Sequence, residues 1–485
     1  MRLPRPAWLF VLGVSFLRLI AASRFPLTGD EAYYWAWSRH LAYGYIDHPP
    51  MVAWLIALSA PFGRAPGFVR LPFVICEAVA ALALGGAALR LARDPRAGAV
   101  AAVAFTLLPQ TKLALGEALP DGPFVMCWAI ALYLLARGGN APSRRLLVAL
   151  GCALGGVLLS RAFGWALVCG VFMYALAPQR RPLLAKLWIA FAIAAALYAP
   201  FIYWNAVHDW ANLAFTVHDR QPFETFAFER VAVLSSLRLL VVALLIWSVA
   251  LFVALRPALP LITWTALPLP TLLVALAFFY KVESYWVLGP AASLCVGLGV
   301  RYRAWTLGVR RALEWAAGGS FGYVTLGALF VALPEPSQAR LLHATNGSLR
   351  GPFYSGAFAY APLSVEVGAL ADSRSGIVIT DRNEIAAELT YDGITALIIG
   401  DSPQSRQWEE WRNGPPTFEH ALFVSYAPLQ LGTERWRTVS AAFASISPGP
   451  TLRPRFAGIV ADTFYTEWCT GPQHSAFATL LGARP

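Results

Sequence analysis

The sequence predicts a polytopic α-helical membrane protein of about eleven transmembrane helices followed by a C-terminal α/β extracytoplasmic domain. Composition is the first reason. Hydrophobic residues make up 58% of the 485 and charged residues only 13%, about half of the roughly 25% usual in a soluble domain. The second reason is a change of texture. Apolar runs near the ~20 residues that cross a bilayer recur from residue 7 to about residue 333, and after Pro334 and Pro336 the chain takes on the mixed pattern of a globular domain. Residues 1–335 are therefore expected to form a transmembrane domain with outer loops, and residues 336–485 a soluble domain.

The spans are expected at 7–23, 68–92, 97–118, 121–137, 146–160, 163–178, 183–204, 231–255, 259–280, 284–300 and 312–333. Residues 1–23 place Arg2 and Arg5 before an apolar stretch that ends in Ala21-Ala22-Ser23, as a cleaved signal would. They are read as an uncleaved span because the segment they deliver carries the candidate chemistry. With the N-terminus inside, Arg90, Arg93 and Arg96, then Arg137, Arg144 and Arg145, then Arg180, Arg181 and Lys186, and later Arg301, Arg303, Arg310 and Arg311 fall in cytoplasmic connections. That alternation follows the positive-inside rule, and it puts the net charge of +11 to work in orientation, so no nucleic-acid partner is expected. An odd number of spans places the soluble domain outside.

Residues 51–62, MVAWLIALSAPF, are too short to span and end near Pro61, which suggests a helix lying along the interface. The segment 205–230 is expected to form a second outer loop. Arg18 and Glu77, inside the first two spans, are costly in lipid and should face a protein cavity or each other. Arg70 is expected to meet phosphate or to snorkel. Five of the six cysteines lie in apolar spans, and no disulfide is expected. In the soluble domain, GIVIT (376–380), ALIIG (396–400) and ALFVSY (421–426) have the pattern of buried strands, with RNEIAAELTY (382–391) helical between the first two.

The chemistry concentrates between Thr28 and Pro50, TGDEAYYWAWSRHLAYGYIDHPP. A connector needs only a few polar residues, yet this stretch holds Asp30, Glu31, Asp47 and His48 among Tyr33, Tyr34, Trp35, Trp37, Tyr43 and Tyr45. Aromatic faces stack on the C–H faces of sugars, and a carboxylate can take a proton from an attacking hydroxyl. The positive-inside rule does not govern acids, so the gathering of Asp30, Glu31, Asp47, Glu117, Asp121, Asp209 and Glu283 on the outer side asks for a functional reason.

The stretch DEAYYWAWSRHLAYGYIDHPP (30–50) resembles the first outer loop of bacterial membrane glycosyltransferases related to the dolichyl-phosphate-mannose protein mannosyltransferases. This group has the GT-C architecture and includes the enzymes that add aminoarabinose or galacturonic acid to lipid A. LPDGPFVMCWAIALYLL (119–135), GVLLSRAFGWAL (156–167), APFIYWNAVHDW (199–210), KVESYWVLGPA (281–291) and ITDRNEIAAELTY (379–391) are similar in the same order.

The resemblance implies inverting transfer of a sugar from a polyprenyl-phosphate donor to a lipid A, lipopolysaccharide or other envelope glycolipid acceptor, on the periplasmic face of a bacterial inner membrane. Asp30 matches the general base, and Glu31 the second acid of the pair, with an orienting or acceptor-contacting role. Arg161 stands where relatives often carry Lys and is a candidate for the donor phosphate. Lys281 and Tyr285 resemble a Lys and Tyr spacing of the aminoarabinose transferases, although other relatives have His in place of Tyr285. His218 and Arg220 lie in a segment, VHDRQPF, that resembles a His-bearing stretch of the same enzymes. His48 takes the place of a Lys there, following Asp47 where they have Glu. Asp121 matches an acid of the second outer loop, and helix N-capping would also explain it. No cofactor is expected to be required, while Asp47 and His218 leave room for a divalent metal. Two other readings compete: a protein O-glycosyltransferase of the same fold, and a transporter or flippase of lipid-linked sugars.

Overall fold

The computed structural model describes residues 2–108, 116–216, 260–276, 284–344, 357–400, 403–412, 417–456, 458–473 and 477. The chain divides into two compact units, Met1–Ala22 with Ala42–Ala328, and Ser23–Leu41 with Leu329–Pro485. The first unit is helical. Among the described residues, Arg5–Arg24, Pro66–Ala92 and Pro178–Val207 are each long and apolar enough to cross a membrane. Between and after them come Met51–Ser59, Pro95–Thr106, Asp121–Gly138, Arg144–Ser160, Gly164–Ala175, Leu288–Arg301 and Leu307–Ala332.

Two expected spans differ in detail. The run at 97–118 is helical over Pro95–Thr106, beyond which 109–115 lie outside the described residues. The run at 259–280 breaks into Pro260–Ala266 and Pro268–Leu276, since a proline brings no N–H to a continuing helix and pushes its predecessor from helical geometry. The run at 231–255 lies outside the described residues. The segment 51–62 is the helix Met51–Ser59 closed by a 3-10 turn, Ala60–Phe62.

Small residues let these helices approach closely. A Cβ on Gly151 would come 2.7 Å from the Ala190 carbonyl oxygen, and one on Gly156 would come 2.6 Å from Cys127 Sγ, so helix Arg144–Ser160 packs tightly on both neighbours. Polar contacts pin the interior. Trp128 Nε1 donates to Ser293 Oγ at 2.9 Å, and Thr265 Oγ1 donates to the same oxygen at 3.0 Å, joining three helices at one hydroxyl. Arg18 Nη1 meets Glu77 Oε2 at 3.0 Å, and its Nη2 donates to the Thr106 carbonyl at 2.5 Å. The two intramembrane charges thus face each other. Arg70 is fully buried, with Nη1 donating to the Ala22 carbonyl at 2.7 Å; it does not snorkel.

The second unit is α/β. Its five-stranded sheet runs in the order β2-β1-β3-β7-β4, with β1 (Ile377–Thr380), β2 (Ala396–Ile398), β3 (His420–Ser425), β4 (Phe443–Pro448) and β7 (Tyr465–Pro472). The β1 strand pairs in parallel with β2 and β3, while β7 runs antiparallel between β3 and β4. A separate two-stranded ribbon joins β5 (Arg455–Phe456) to β6 (Ile459–Val460). Helices Ala357–Ser373 and Asn383–Tyr391 cover the core with Leu363, Val367, Ile385 and Leu389.

The division at 335 expected from composition differs from this one because Ser23–Leu41 groups with the C-terminal residues. The segment forms a helix, Gly29–Arg39, rather than an irregular loop. That helix lies so near Asn383–Tyr391 that a Cβ on Gly29 would stand 2.8 Å from Glu384 Cβ. Trp35 meets the Tyr391 ring edge-on at 5.1 Å, and Tyr33 stacks with Trp408 at 6.2 Å.

Removing one partner of a buried ion pair strands a charge and costs about 3–5 kcal/mol. Arg18→Ala is therefore expected to lower the thermal midpoint of the detergent-solubilised protein sharply, and the double change Arg18→Met with Glu77→Leu to restore most of it. An unchanged midpoint for Arg18→Ala would show that the pair does not bear on folding.

Candidate active site

The helix Gly29–Arg39 begins at Thr28, whose φ of −85° and ψ of 160° are extended, as an N-cap requires. Glu31 stands three residues on, and its Oε2 accepts from the Thr28 backbone N–H at 3.0 Å and from the Thr28 hydroxyl at 3.3 Å. This is the carboxylate half of a capping box, so the fully buried Glu31 side chain helps to start the helix. Asp30, beside it in the first turn, is exposed.

The aromatic side chains around this acid divide differently from the sugar-stacking cluster the sequence suggested. Tyr33, Tyr34, Trp37 and Tyr45 are buried. Tyr33 and Tyr34 meet Trp37 edge-on at 5.1 and 4.9 Å, which makes them packing residues of the helix. Tyr45 accepts from the Ala42 N–H at 3.1 Å, and burial pushes its phenol pKa up. Trp35 is half-buried and Tyr43 exposed, and these two keep faces a ligand could reach.

In the helical unit, residues 42–50 form a strap. Asp47 is half-buried and His48 buried. Asn212 Nδ2 donates to the carbonyls of Tyr45 and Ile46 at 3.1 and 2.8 Å, and a Cβ on Gly44 would come 2.5 Å from the Trp204 ring. Trp204 stacks on His208 at 4.2 Å, and His208 Nδ1 lies 2.7 Å from the Trp204 carbonyl oxygen. Asp209 and Trp210 then turn the chain with φ of 54° and 57°, left-handed values unusual for such residues. The HDW motif thus shapes the backbone that ties down the strap bearing Asp47 and His48.

Asp121 and Arg161, proposed separately from the sequence, form a buried ion pair between Oδ1 and Nη1. Asp121 opens helix Asp121–Gly138, whose N-cap is Pro120, so its carboxylate serves Arg161 rather than capping the helix. Arg161 ends helix Arg144–Ser160 in an extended conformation, φ −153° and ψ 146°. Its guanidinium lies 5.5 Å from the Phe163 ring centre, and Phe163 in turn packs on Trp286 at 5.1 Å. Trp286 belongs to the turn Ser284–Val287, which also carries the backbone of Tyr285. His218, Arg220 and Lys281 lie outside the described residues.

Sequence reasoning did not foresee the Asp121–Arg161 pair, the Phe163–Trp286 contact or the capping role of Glu31. For Glu31 the signal was present, since Thr28 and Glu31 have the spacing of a capping box. Among the described residues, no three His, Cys, Asp or Glu side chains form a group that could hold a metal ion; Asp47 is described and His218 is not.

Residues 47–204 match the family model described as dolichyl-phosphate-mannose-protein mannosyltransferase. The lipid A galacturonosyltransferase RgtD of Rhizobium johnstonii is 28% identical over 412 residues, which cover 80% of this chain and 82% of that protein. The crystal structure of ArnT from Cupriavidus metallidurans bound to undecaprenyl phosphate matches with a TM-score of 0.62 at 15% identity, over 96% of this chain and 98% of that one. Its apo form matches with a TM-score of 0.64 at 14% identity, over 95% and 97%. At such identities these two structures establish a common fold. The chain thus has the GT-C fold of these two structures and is similar, over residues 47–204, to the dolichyl-phosphate-mannose-protein mannosyltransferases.

Proposed function

We propose that the protein moves a sugar from a polyprenyl-phosphate donor to a hydroxyl or amine of lipid A or a similar envelope glycolipid, with inversion at the anomeric carbon. The acceptor class follows the RgtD relative, and the donor class follows the undecaprenyl phosphate bound to ArnT. The observation that carries the mechanism is Asp30, an exposed carboxylate in the first turn of a capped helix. Its backbone position is fixed by the helix and its side chain is short.

In this reading Asp30 accepts the proton of the acceptor nucleophile as the bond to the anomeric carbon forms. The lipid phosphate leaves as an anion that needs cations rather than a proton. Arg161 is assigned to that phosphate: a guanidinium has five N–H donors, and Asp121 orients it through one Nη. Arg220 and Lys281 are the further cations proposed, with His48, His218 and Tyr285 as donor contacts. Glu31 acts as a positioning residue through the Thr28 cap. The enzyme is read as an inner-membrane protein with about eleven spans, its N-terminus cytoplasmic and residues 336–485 periplasmic.

The family description favours a second reading, in which the acceptor is a protein. Radioactive lipid-linked sugar partitioned between glycolipid and protein fractions separates the two. A donor-dependent product made in detergent, where no compartments exist, excludes transport as the explanation. Mass spectra of lipid extracts from cells with and without the protein identify sugar and acceptor together.

Removal of a general base lowers rates by about 10²–10⁴-fold. Asp30→Asn is expected to lose transfer by at least about a hundredfold while still inserting and binding donor; full activity would remove Asp30 from its role. Glutamine also serves at the third position of a capping box. Glu31→Gln should accordingly keep both stability and most transfer, whereas Glu31→Ala should lose about 1 kcal/mol of stability; an inactive but stable Glu31→Gln protein would return Glu31 to the chemistry. Transfer should survive chelation by EDTA. A loss reversed by a divalent ion would bring Asp47 and His218 into the donor site as ligands.

A further inference from the structure

A cleft of about 420 Å³ opens in the α/β unit, and none of the roles above uses it. One wall is the helix Gly29–Arg39, with Trp35, Arg39 and the adjoining His40; another is the edge strand β2, and the third is helix Pro403–Glu410 with the residues that follow it. Helical phase separates this wall from Asp30. Positions 30, 33, 34 and 37 share one face of the helix, and 35 and 39 lie on the opposite face. From Asp30 to Arg39 the helix also advances about 13 Å.

The lining has the chemistry of sugar recognition. Trp35, Trp408 and Trp411 are half-buried, so part of each indole remains open. Their orientations are held: Trp408 Nε1 donates to Asn383 Oδ1 at 2.8 Å, and Trp411 stacks on His40 at 4.8 Å with the rings 5° from parallel. Burial, helped by the Arg39 charge, lowers the His40 pKa, which keeps the imidazole neutral for stacking. Flat indoles at a rim match the C–H faces of a pyranose.

The charges select further. Arg412 Nη2 donates to Glu409 Oε1 at 3.1 Å, so those two charges answer each other. Arg39 is exposed, 6.0 Å from the Trp35 ring centre, and makes no ion pair among the described residues. The lining therefore carries one cation in excess, beside an aromatic face. The volume falls within the ~300–1,000 Å³ range of small-molecule sites.

We propose that this cleft binds a saccharide bearing an anionic group, a unit of the acceptor glycolipid separate from the one that receives the sugar. The proposal rests on the transfer reading for the identity of the occupant, while the site itself is defined by the cleft. Arg39 takes the anionic group and Trp411 with Trp35 takes the ring. Both are specificity residues that act by binding the acceptor.

The test uses full-length Asp30→Asn protein in nanodiscs, titrated calorimetrically with digalacturonic acid and with its neutral methyl ester. Digalacturonate is expected to bind, and the ester about tenfold more weakly. Adding Arg39→Gln, an exposed change, should cost about tenfold for the acid and leave the ester unchanged. Trp411→Ala should weaken both, and Trp411→Phe should restore part of the loss. In the Asp30 protein, Arg39→Gln should raise the acceptor KM with kcat kept. Equal binding of acid and ester, or indifference to Arg39→Gln and Trp411→Ala, would overturn the site. Binding as expected in a protein with no transfer to any glycolipid would leave the site standing and overturn the transfer reading instead.

Discussion

The carboxylate of Glu31 closes on the N–H of Thr28, and that contact decides what residues 29–39 are. An isolated helix of this length is marginal; here a satisfied first turn and a close seat on helix Asn383–Tyr391 supply what propensity does not. Once the segment is helical its side chains are no longer independent. Asp30 and Trp35 are forced onto opposite faces, and Tyr33, Tyr34 and Trp37 are committed to packing. The acid pair at 30 and 31 therefore separates into two tasks that one irregular loop could not have kept apart: one carboxylate holds the backbone and its neighbour is presented by it. A side chain presented this way is held in place by the backbone that carries it.

The helical unit uses buried charge in two distinct ways. Arg18 and Glu77 sit within the spans Arg5–Arg24 and Pro66–Ala92, where the Thr106 carbonyl takes a second guanidinium donor. That arrangement satisfies charge where water does not reach. Asp121 and Arg161 instead occupy helix ends, one opening Asp121–Gly138 and the other closing Arg144–Ser160. A buried ion pair adds little to stability compared with packed apolar residues of the same size. A pair at the mouths of two helices, with an aromatic chain of Phe163 and Trp286 alongside, is better explained by the need to hold a guanidinium in one orientation.

The long helices Arg5–Arg24 and Pro66–Ala92 were legible because their signal is length: about twenty apolar residues leave few alternatives. Strands β1, β2 and β3 were legible for a similar reason, as short apolar runs between turn residues. Strands β4 and β7 were not. Phe443–Pro448 is mostly exposed and carries alternating small polar residues, and Tyr465–Pro472 includes Thr466, Glu467 and Thr470, so neither has an apolar run to find. Their identity comes from pairing with each other and with β3 across a distance in sequence that no local pattern encodes. Asp121 and Arg161, forty positions apart, were each noticed for their chemistry, but nothing local announced their meeting. The helix Gly29–Arg39 is hard to see in the sequence for another reason. Its acids and aromatics suggested ligand chemistry, although the capping pattern and the lack of Gly or Pro between Asp30 and Tyr43 already favoured a helix.

The same helix makes sense of why a segment so early in the chain groups with residues beyond 328. On the transfer reading proposed above, the element that presents Asp30 also forms part of the surface proposed to read the acceptor. In the α/β unit this follows from helix phase alone. Trp35 and Arg39 line the cleft at the edge of β2, while Asp30 stands on the other side of the same rod. An occupant of the cleft would press on indoles that already brace the helix, Trp35 against Tyr391 and Trp408 against Tyr33. Filling the site would then stiffen the helix that bears Asp30, the base proposed above, so that on this reading recognition and alignment share one set of contacts.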